Sequence, residues 1–177
     1  MSHRSYNFRI YPNATQQELL GRHFGHNRFV WNYFLNARSE FYKLNKESDK
    51  KGLNYCDTAK LLTELKSKDE FTWLNEVNSQ SMQQTLRQLD NAYGKFFKKL
   101  TKFPRFKKKG NKNTFTVPQH IAVRDGKLYI PKFKTGIEIN VHREIDGDIC
   151  FATINRTACG NYYCALTVEF TPKELPK

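Results

Sequence analysis

The 177-residue sequence is short of acidic side chains: 17 Asp and Glu stand against 30 Lys and Arg, a formal charge of +13. That deficit favours a polyanionic partner such as DNA, RNA or an anionic membrane. The membrane is disfavoured in turn, because no apolar run approaches the roughly 20 residues that span a bilayer. The N-terminus, Met1-Ser2-His3-Arg4-Ser5, carries no signal-peptide core. The four cysteines, Cys56, Cys150, Cys159 and Cys164, form no CxxC pair and no regular framework. Reduced thiols in a cytoplasm are therefore expected rather than a disulfide scaffold. There is no GxSxG, HExxH or P-loop, and so none of the chemistry those motifs carry. His23 and His26 lack a Cys or acidic companion and read as surface or core histidines. Acidic residues between Glu40 and Glu76 alternate with lysines and look solvated, whereas a metal-dependent nuclease needs converging carboxylates. Internal repeats and low-complexity tracts are also absent.

What the chain does have is aromatic and aliphatic bulk: 14 Phe, 9 Tyr and 2 Trp within a hydrophobic content of 38%. A disordered basic tail would not carry so many, so a packed domain, or two small ones, is expected. Tyr6, Phe8 and Ile10 alternate with polar neighbours, the period of a half-buried strand, which Pro12-Asn13 ends. Thr15 with Glu18 suggests a capping box at the head of a helix. Gly25 suggests a break or bend, after which a longer helix carries Val30, Phe34, Ala37, Phe41 and Leu44 on one stripe. A charged loop over residues 45–54 leads to a short helix with Ala59, Leu62 and Leu65. The strongest helix follows, with Met82, Leu86, Leu89, Tyr93, Phe96 and Leu100 spaced alternately four and three. That spacing is one seam against neighbouring helices, as in a small antiparallel bundle.

After Pro104 the pattern turns to strands. Asp125-Gly126, Asp146-Gly147 and, more weakly, Cys159-Gly160-Asn161 are tight-turn signals. Between them lie Leu128 and Ile130; Ile137, Ile139 and Val141; Ile149, Phe151 and Thr153; and Tyr162, Cys164, Leu166, Val168 and Phe170. Short strands joined by hairpins point to a closed or partly closed barrel. The lone strand near residue 8 needs that sheet for pairing. The fold class is therefore α+β: a small antiparallel β-barrel, resembling oligonucleotide-binding barrels, with a helical bundle inserted after its first strand.

Over residues 95–112 every charged side chain is basic: Lys95, Lys98, Lys99, Lys102, Arg105, Lys107, Lys108, Lys109 and Lys112. Such cations neutralise phosphates and release counterions. Phe96, Phe97, Phe103, Phe106 and Phe115 interleave with them, and aromatic rings can stack on exposed bases. Phe96 and Phe97 continue the helical seam and read more simply as core. The polar face of the same helix carries Ser79, Gln80, Gln83, Gln84 and Arg87. It is either a solvent face or a set of groups able to read base edges.

Several stretches, in order, resemble TnpB-type (OrfB family) proteins, the transposon-encoded RNA-guided nucleases related to type V CRISPR effectors. They are Tyr6-Asn7-Phe8-Arg9-Ile10-Tyr11-Pro12-Asn13 with Gln16 and Leu19; Gly25-His26-Asn27-Arg28-Phe29-Val30-Trp31-Asn32; and Gly52-Leu53-Asn54-Tyr55. Trp73-Leu74, Ala92-Tyr93 with Phe96-Phe97, Phe103-Pro104-Arg105-Phe106-Lys107-Lys108-Lys109, Phe115-Thr116 and Gly160-Asn161-Tyr162-Tyr163 complete the series. The resemblance covers essentially the whole chain.

It implies a wedge barrel over residues 1–14 and 105–171, a helical recognition domain over 15–104, and a linker over 172–177 toward a RuvC nuclease domain. It further implies guide RNA and double-stranded target DNA as partners in a prokaryotic, nucleoid-associated cytoplasmic setting. Tyr55, Ser79, Gln80, Gln83 and Thr116 fall at positions that read a short transposon-adjacent DNA motif, while the guide supplies the remaining specificity by base pairing. The Gly-Ile-Asp-x-Gly strand that opens the nuclease domain does not appear in these 177 residues. No cleavage is expected of this chain alone, and no cofactor; the divalent metal of the family belongs to that nuclease domain. Two other readings remain. One is an RNA-independent transposition accessory protein or repressor using residues 16–44 as a helix-turn-helix; the other is an interaction module whose charge serves solubility.

Overall fold

The computed structural model describes residues 2–50, 52–110 and 113–171. The chain divides into two compact units, Met1–Gly21 with Lys112–Lys177, and Arg22–Asn111.

The first unit is a seven-stranded antiparallel sheet curled into a half-barrel. It contains β1 (Ser2–Tyr11), β2 (Asn113–Val117), β3 (Ala122–Arg124), β4 (Lys127–Tyr129), β5 (Ile137–Asn140), β6 (Asp148–Arg156) and β7 (Tyr162–Phe170). The strands lie in the order β2-β6-β7-β1-β5-β4-β3. Among the described residues β2 and β3 are edges, so the barrel is partly closed. β1 is central, as its alternation requires: Ser2 to Ile10 pair with β7, and Arg9 to Tyr11 with β5. The inner face forms continuous cross-strand rows. Phe115, Ile154, Cys164 and Phe8 make one, and Val117, Ala152, Leu166 and Tyr6 the next. All eight are buried, and such cross-strand contacts are the unit of sheet stabilisation. Within this wall the Cys164 thiol is pushed up to about 12 by burial, which leaves it protonated and inert.

The turn chemistry divides the three expected turns. Asp125 and Gly126 both have positive φ, 52° and 68°, and join the paired residues Arg124 and Lys127. That is the two-residue hairpin turn whose twist suits the strands. Residues 157–161 turn β6 into β7, with the Thr157 N–H donating to the Asn161 carbonyl at 2.8 Å. Asp146-Gly147 makes no hairpin, because β5 and β6 are not neighbours and two strands lie between them. Gly147 (φ +116°) is needed for another reason: a Cβ there would collide with the backbone carbonyl of Glu169.

β6 also departs from the expected alternation. A bulge between Ile149 and Phe151 shifts its register. One extra residue exchanges the faces of a strand, so Ala152 and Ile154 are buried while Phe151 is exposed.

Helix α1 (Ala14–Leu44) is a single helix of 31 residues. Its capping box is Asn13 with Gln16, two residues earlier than Thr15 with Glu18. The Gln16 N–H donates to Asn13 Oδ1 at 2.9 Å, and the Asn13 N–H to Gln16 Oε1 at 3.0 Å. Gln16 Nε2 also donates to the Gly136 carbonyl and Thr135 Oγ1, both at 3.1 Å, fixing the helix head to the β4–β5 connection. Gly25 does not break the helix. Its cost of about 1 kcal/mol relative to Ala is outweighed by the buried Leu20, Phe24, Val30 and Phe34 on either side.

The second unit adds α2 (Tyr55–Ser67), a 3-10 helix (Asp69–Glu76) and α3 (Ser79–Phe97) to the rest of α1. Val30, Phe34 and Leu35 pack with Leu62, Leu65, Leu74, Met82, Leu86, Leu89 and Tyr93. A buried polar network runs through this core: Thr85 Oγ1 donates to Asn27 Oδ1 at 2.7 Å, and Asn27 Nδ2 to Ser81 Oγ at 3.2 Å. The apolar stripes fade toward the helix ends. Leu44 is 84% exposed and Leu100 is 71% exposed, where the sequence pattern placed both on buried stripes. Among the described residues no helix is long and apolar enough to cross a membrane.

Candidate nucleic-acid interface

Helix α3 carries the two candidate clusters at its two ends. At the start, the Asn78 side chain accepts the Gln80 N–H at 3.1 Å and caps the helix. Ser79 is exposed and Gln80 half-buried in that first turn. One turn on, Gln83 Oε1 accepts a hydrogen bond from the Tyr55 hydroxyl at 3.1 Å. Arg87 lies over the Tyr55 ring, 4.9 Å from its centroid. Polar contact with Tyr55 holds this guanidinium above its ordinary pKa, so its charge is permanent. Tyr55, Gln83 and Arg87 are thus one cluster, which the capping box of α2 (Asn54 with Asp57) holds at its start.

Thr116 lies in the other unit, on edge strand β2. It is buried, with Oγ1 at 3.2 Å from Thr153 Oγ1. Its face is opposite to that of Phe115 and Val117, and its hydroxyl is already engaged.

At its other end α3 closes with two reversed hydrogen bonds. The Leu100 N–H donates to the Lys95 carbonyl and the Lys99 N–H to the Phe96 carbonyl, both at 2.9 Å. This double closure needs a left-handed residue, usually Gly. Lys99 takes that place with φ 58°, at a cost of about 1 kcal/mol.

The loop that follows is pinned to α1 by two consecutive side chains. Trp31 Nε1 donates to the Arg105 carbonyl at 2.9 Å. Asn32 Nδ2 donates to the Lys107 carbonyl at 2.9 Å, and the Lys107 N–H donates to Asn32 Oδ1 at 2.8 Å. One amide side chain therefore takes both backbone groups of Lys107, as a neighbouring strand would. The Lys107 ammonium is turned inward over the Trp31 ring at 4.0 Å, and burial lowers its pKa. It is a packing cation, unlike its neighbours.

Lys95, Lys98, Lys99, Lys102, Arg105, Lys108 and Lys109 are exposed. None forms an ion pair with a described acidic residue. Lys112 lies outside the described residues. A like-charge cluster of this kind repels itself until a polyanion neutralises it.

Two features were not anticipated. The Trp31-Asn32 pair is conspicuous in sequence as two polar-edged residues on an otherwise apolar helix face, but nothing in the spacing names residues 105 and 107 as their partners. Arg9, on the outer face of the sheet, donates to Asn161 Oδ1 at 2.6 Å and lies 5.4 Å and 5.8 Å from the Tyr11 and Tyr163 ring centroids. His23 and His26 are core residues. His23 Nε2 accepts the Asn78 N–H at 3.2 Å, and His26 Nε2 lies 2.9 Å from the Trp73 carbonyl. Among the described residues no three His, Cys, Asp or Glu side chains come together as a metal site.

Comparison with known proteins adds a second line. A family model for a helix-turn-helix domain of the OrfB/IS605 type matches residues 1–47. InsQ of Escherichia coli (strain K12), provisionally named an RNA-guided DNA endonuclease, is 31% identical over 168 residues, 94% of this chain and 40% of that protein. A similarly named protein of Streptomyces pristinaespiralis is 29% identical over 177 residues, 98% of this chain and 43% of its own length. Virulence protein VsdF of Salmonella dublin is 33% identical over 110 residues, 58% of this chain and 91% of that protein. The chain thus spans about two fifths of the two nuclease-named relatives. Despite the name of the matching domain, residues 2–44 here fold as β1 and one unbroken helix. The expected turn at Gly25 is absent, and with it the structural basis for reading residues 16–44 as a helix-turn-helix.

Proposed function

We propose that this chain, which belongs to the TnpB-type (OrfB) family and corresponds to the N-terminal part of its members, holds guide RNA and the DNA beside its target. The observation that carries the reading is the pinned loop: a run of exposed cations without described acidic partners, fixed to α1 through Arg105 and Lys107. A solubility patch has no need of such fixing, whereas phosphates at defined positions do.

In this reading Lys95, Lys98, Lys99, Lys102, Arg105, Lys108, Lys109 and Lys112 contact phosphates. Lys107 holds the loop in place through Trp31 and reaches a phosphate less readily. The cluster of Tyr55, Gln83 and Arg87, with Ser79 and Gln80, faces the DNA motif; Thr116, in the other unit, is a separate candidate whose hydroxyl would first have to leave Thr153. The polar groups of that cluster suit base edges. No catalytic step is assigned to these residues, and metal-dependent cleavage belongs with a RuvC domain.

The test is affinity for duplex DNA and for RNA across a salt series, with and without the element's own guide RNA. The logarithm of affinity is expected to fall with the logarithm of salt by roughly 0.7 to 0.9 per phosphate contact. Salt-insensitive binding would sink the reading. Guide-free, sequence-specific duplex binding would favour the accessory-protein alternative on some scaffold other than a helix-turn-helix.

A further inference from the structure

The apolar seam of α3 stops before its aromatic residues do. Tyr93 is buried, but Phe97 is 69% exposed, and Phe103 and Phe106 in the following loop are 45% and 58% exposed. Soluble proteins seldom leave several large rings together in water unless the patch has an occupant. These rings are also ordered against one another. Phe103 meets Tyr93 and Phe96 edge-on, with centroids 5.5 Å and 5.3 Å apart, and Phe97 stacks on Tyr93 at 6.2 Å. Together they line an open cavity of about 700 Å³, whose other wall is formed by Asn36, Ser39 and Tyr42 of α1.

Charge decides what suits this cavity. At its edge the buried guanidinium of Arg38 lies 4.1 Å from the Tyr93 ring centroid and is balanced by Asp90 at 2.9 Å. Glu40 also lines the cavity but is balanced by Lys43 at 2.8 Å, which leaves the exposed ammonium of Lys46 as the surplus charge of the lining, and Lys95, Lys98, Lys99 and Lys102 interleave in sequence with the rings. An apolar protein segment would cover the rings and leave the cations unanswered. A strand whose bases unstack satisfies both, since each base presents a π-face and each linkage a negative charge. The Asn36 amide adds a donor and an acceptor on the same wall, which suits a base edge.

We propose that this cavity receives an unstacked base of a single-stranded nucleic acid, with the adjacent lysines holding the phosphates on either side. The inference rests on the reading that the chain binds nucleic acid, and it assigns the aromatic cavity a role distinct from duplex-phosphate capture. It separates the rings, which sense bases, from the loop cations, which sense charge alone.

The experiment compares fluorescence-anisotropy titrations of the full chain with single-stranded oligothymidylate and with an abasic strand of equal length. Oligouridylate run in parallel distinguishes an RNA occupant from a DNA one. The base-bearing strand is expected to bind about 5- to 150-fold more tightly, the range for stacking of one base, with equal salt slopes for both strands. The double variant Phe97→Ala with Phe106→Ala should erase that difference while its thermal unfolding stays where it was, because both rings are largely exposed. Equal affinity of the native chain for both strands overturns the proposal and leaves the basic-loop reading standing. Failure to bind either strand also overturns the proposal, while the basic-loop reading is then decided by the duplex and guide-RNA titrations. A nucleic-acid-free dimer in sedimentation that the double variant abolishes would assign the cavity to a second copy of the chain and overturn it too.

Discussion

The two ends of α3 solve opposite problems with the same helix. At its start Asn78 caps the helix, Ser81 and Thr85 close a buried network with Asn27, and Gln83 is occupied by Tyr55. At its finish a lysine occupies the left-handed position, a Phe and a Leu stand in water, and the cations lack acidic partners among the described residues. Apart from Asn78 Nδ2, which is buried without a partner, the buried side-chain polar groups at the first end are paired within the fold, which gives rigidity. The cations at the second have no acidic partner among the described residues. Local stability is therefore a guide to role along this one element, since binding surfaces draw on its less satisfied parts.

The contrast can be broken most strongly in the seam. Leu86→Ala, at a fully buried position, should lower unfolding free energy by about 2–5 kcal/mol, measured by urea denaturation. Leu100→Ala, on the same heptad-like spacing, should stay within about 0.5 kcal/mol. Equal effects at both positions would refute the division. Next comes the combined change of Lys98, Lys99, Lys102 and Arg105 to Ala. It should weaken nucleic-acid binding by well over tenfold at low salt and flatten the salt slope by roughly 0.7 to 0.9 for each phosphate no longer neutralised. Stability should change little, and an unaltered slope would mean that these residues hold no phosphate.

Asn27→Ala should cost about 1–3 kcal/mol by removing the buried amide that joins Ser81 and Thr85 to α1, without moving the salt slope. The smallest effect has the opposite sign. Lys99→Gly should stabilise the fold by about 1 kcal/mol or less, because glycine adopts the left-handed closure without strain. Affinity for nucleic acid should fall in the same variant. A stability gain without loss of affinity would mean that Lys99 reaches no phosphate.

The legible parts of this fold were those where one local rule acted alone. Tyr6, Phe8 and Ile10 announce a strand, Met82 to Tyr93 announce a seam, and Asp125-Gly126 announces a hairpin, each from residues a few positions apart. Illegible were the places where a distant partner decides. Nothing near Phe151 reveals the bulge that turns it outward, because that register is set against β7. Gly25 carries a genuine helix penalty that only the core around Phe24 and Val30 overrides. Asp146-Gly147 has turn composition, yet its glycine answers to the Glu169 backbone rather than to a hairpin. The candidate cations were visible as a run, but the inward turn of Lys107 depends on Trp31, more than seventy positions away.

The double grip of Asn32 on Lys107 has a consequence in chain entropy. A tether held at its middle behaves as two shorter ones, each with its own closure cost. The stretch carrying Lys98, Lys99 and Lys102 and the stretch carrying Lys108 and Lys109 can therefore be ordered separately. A change in the order of one stretch need not carry over to the other. Lengthening either side should be tolerated as long as Asn32 still finds a backbone amide and carbonyl to hold.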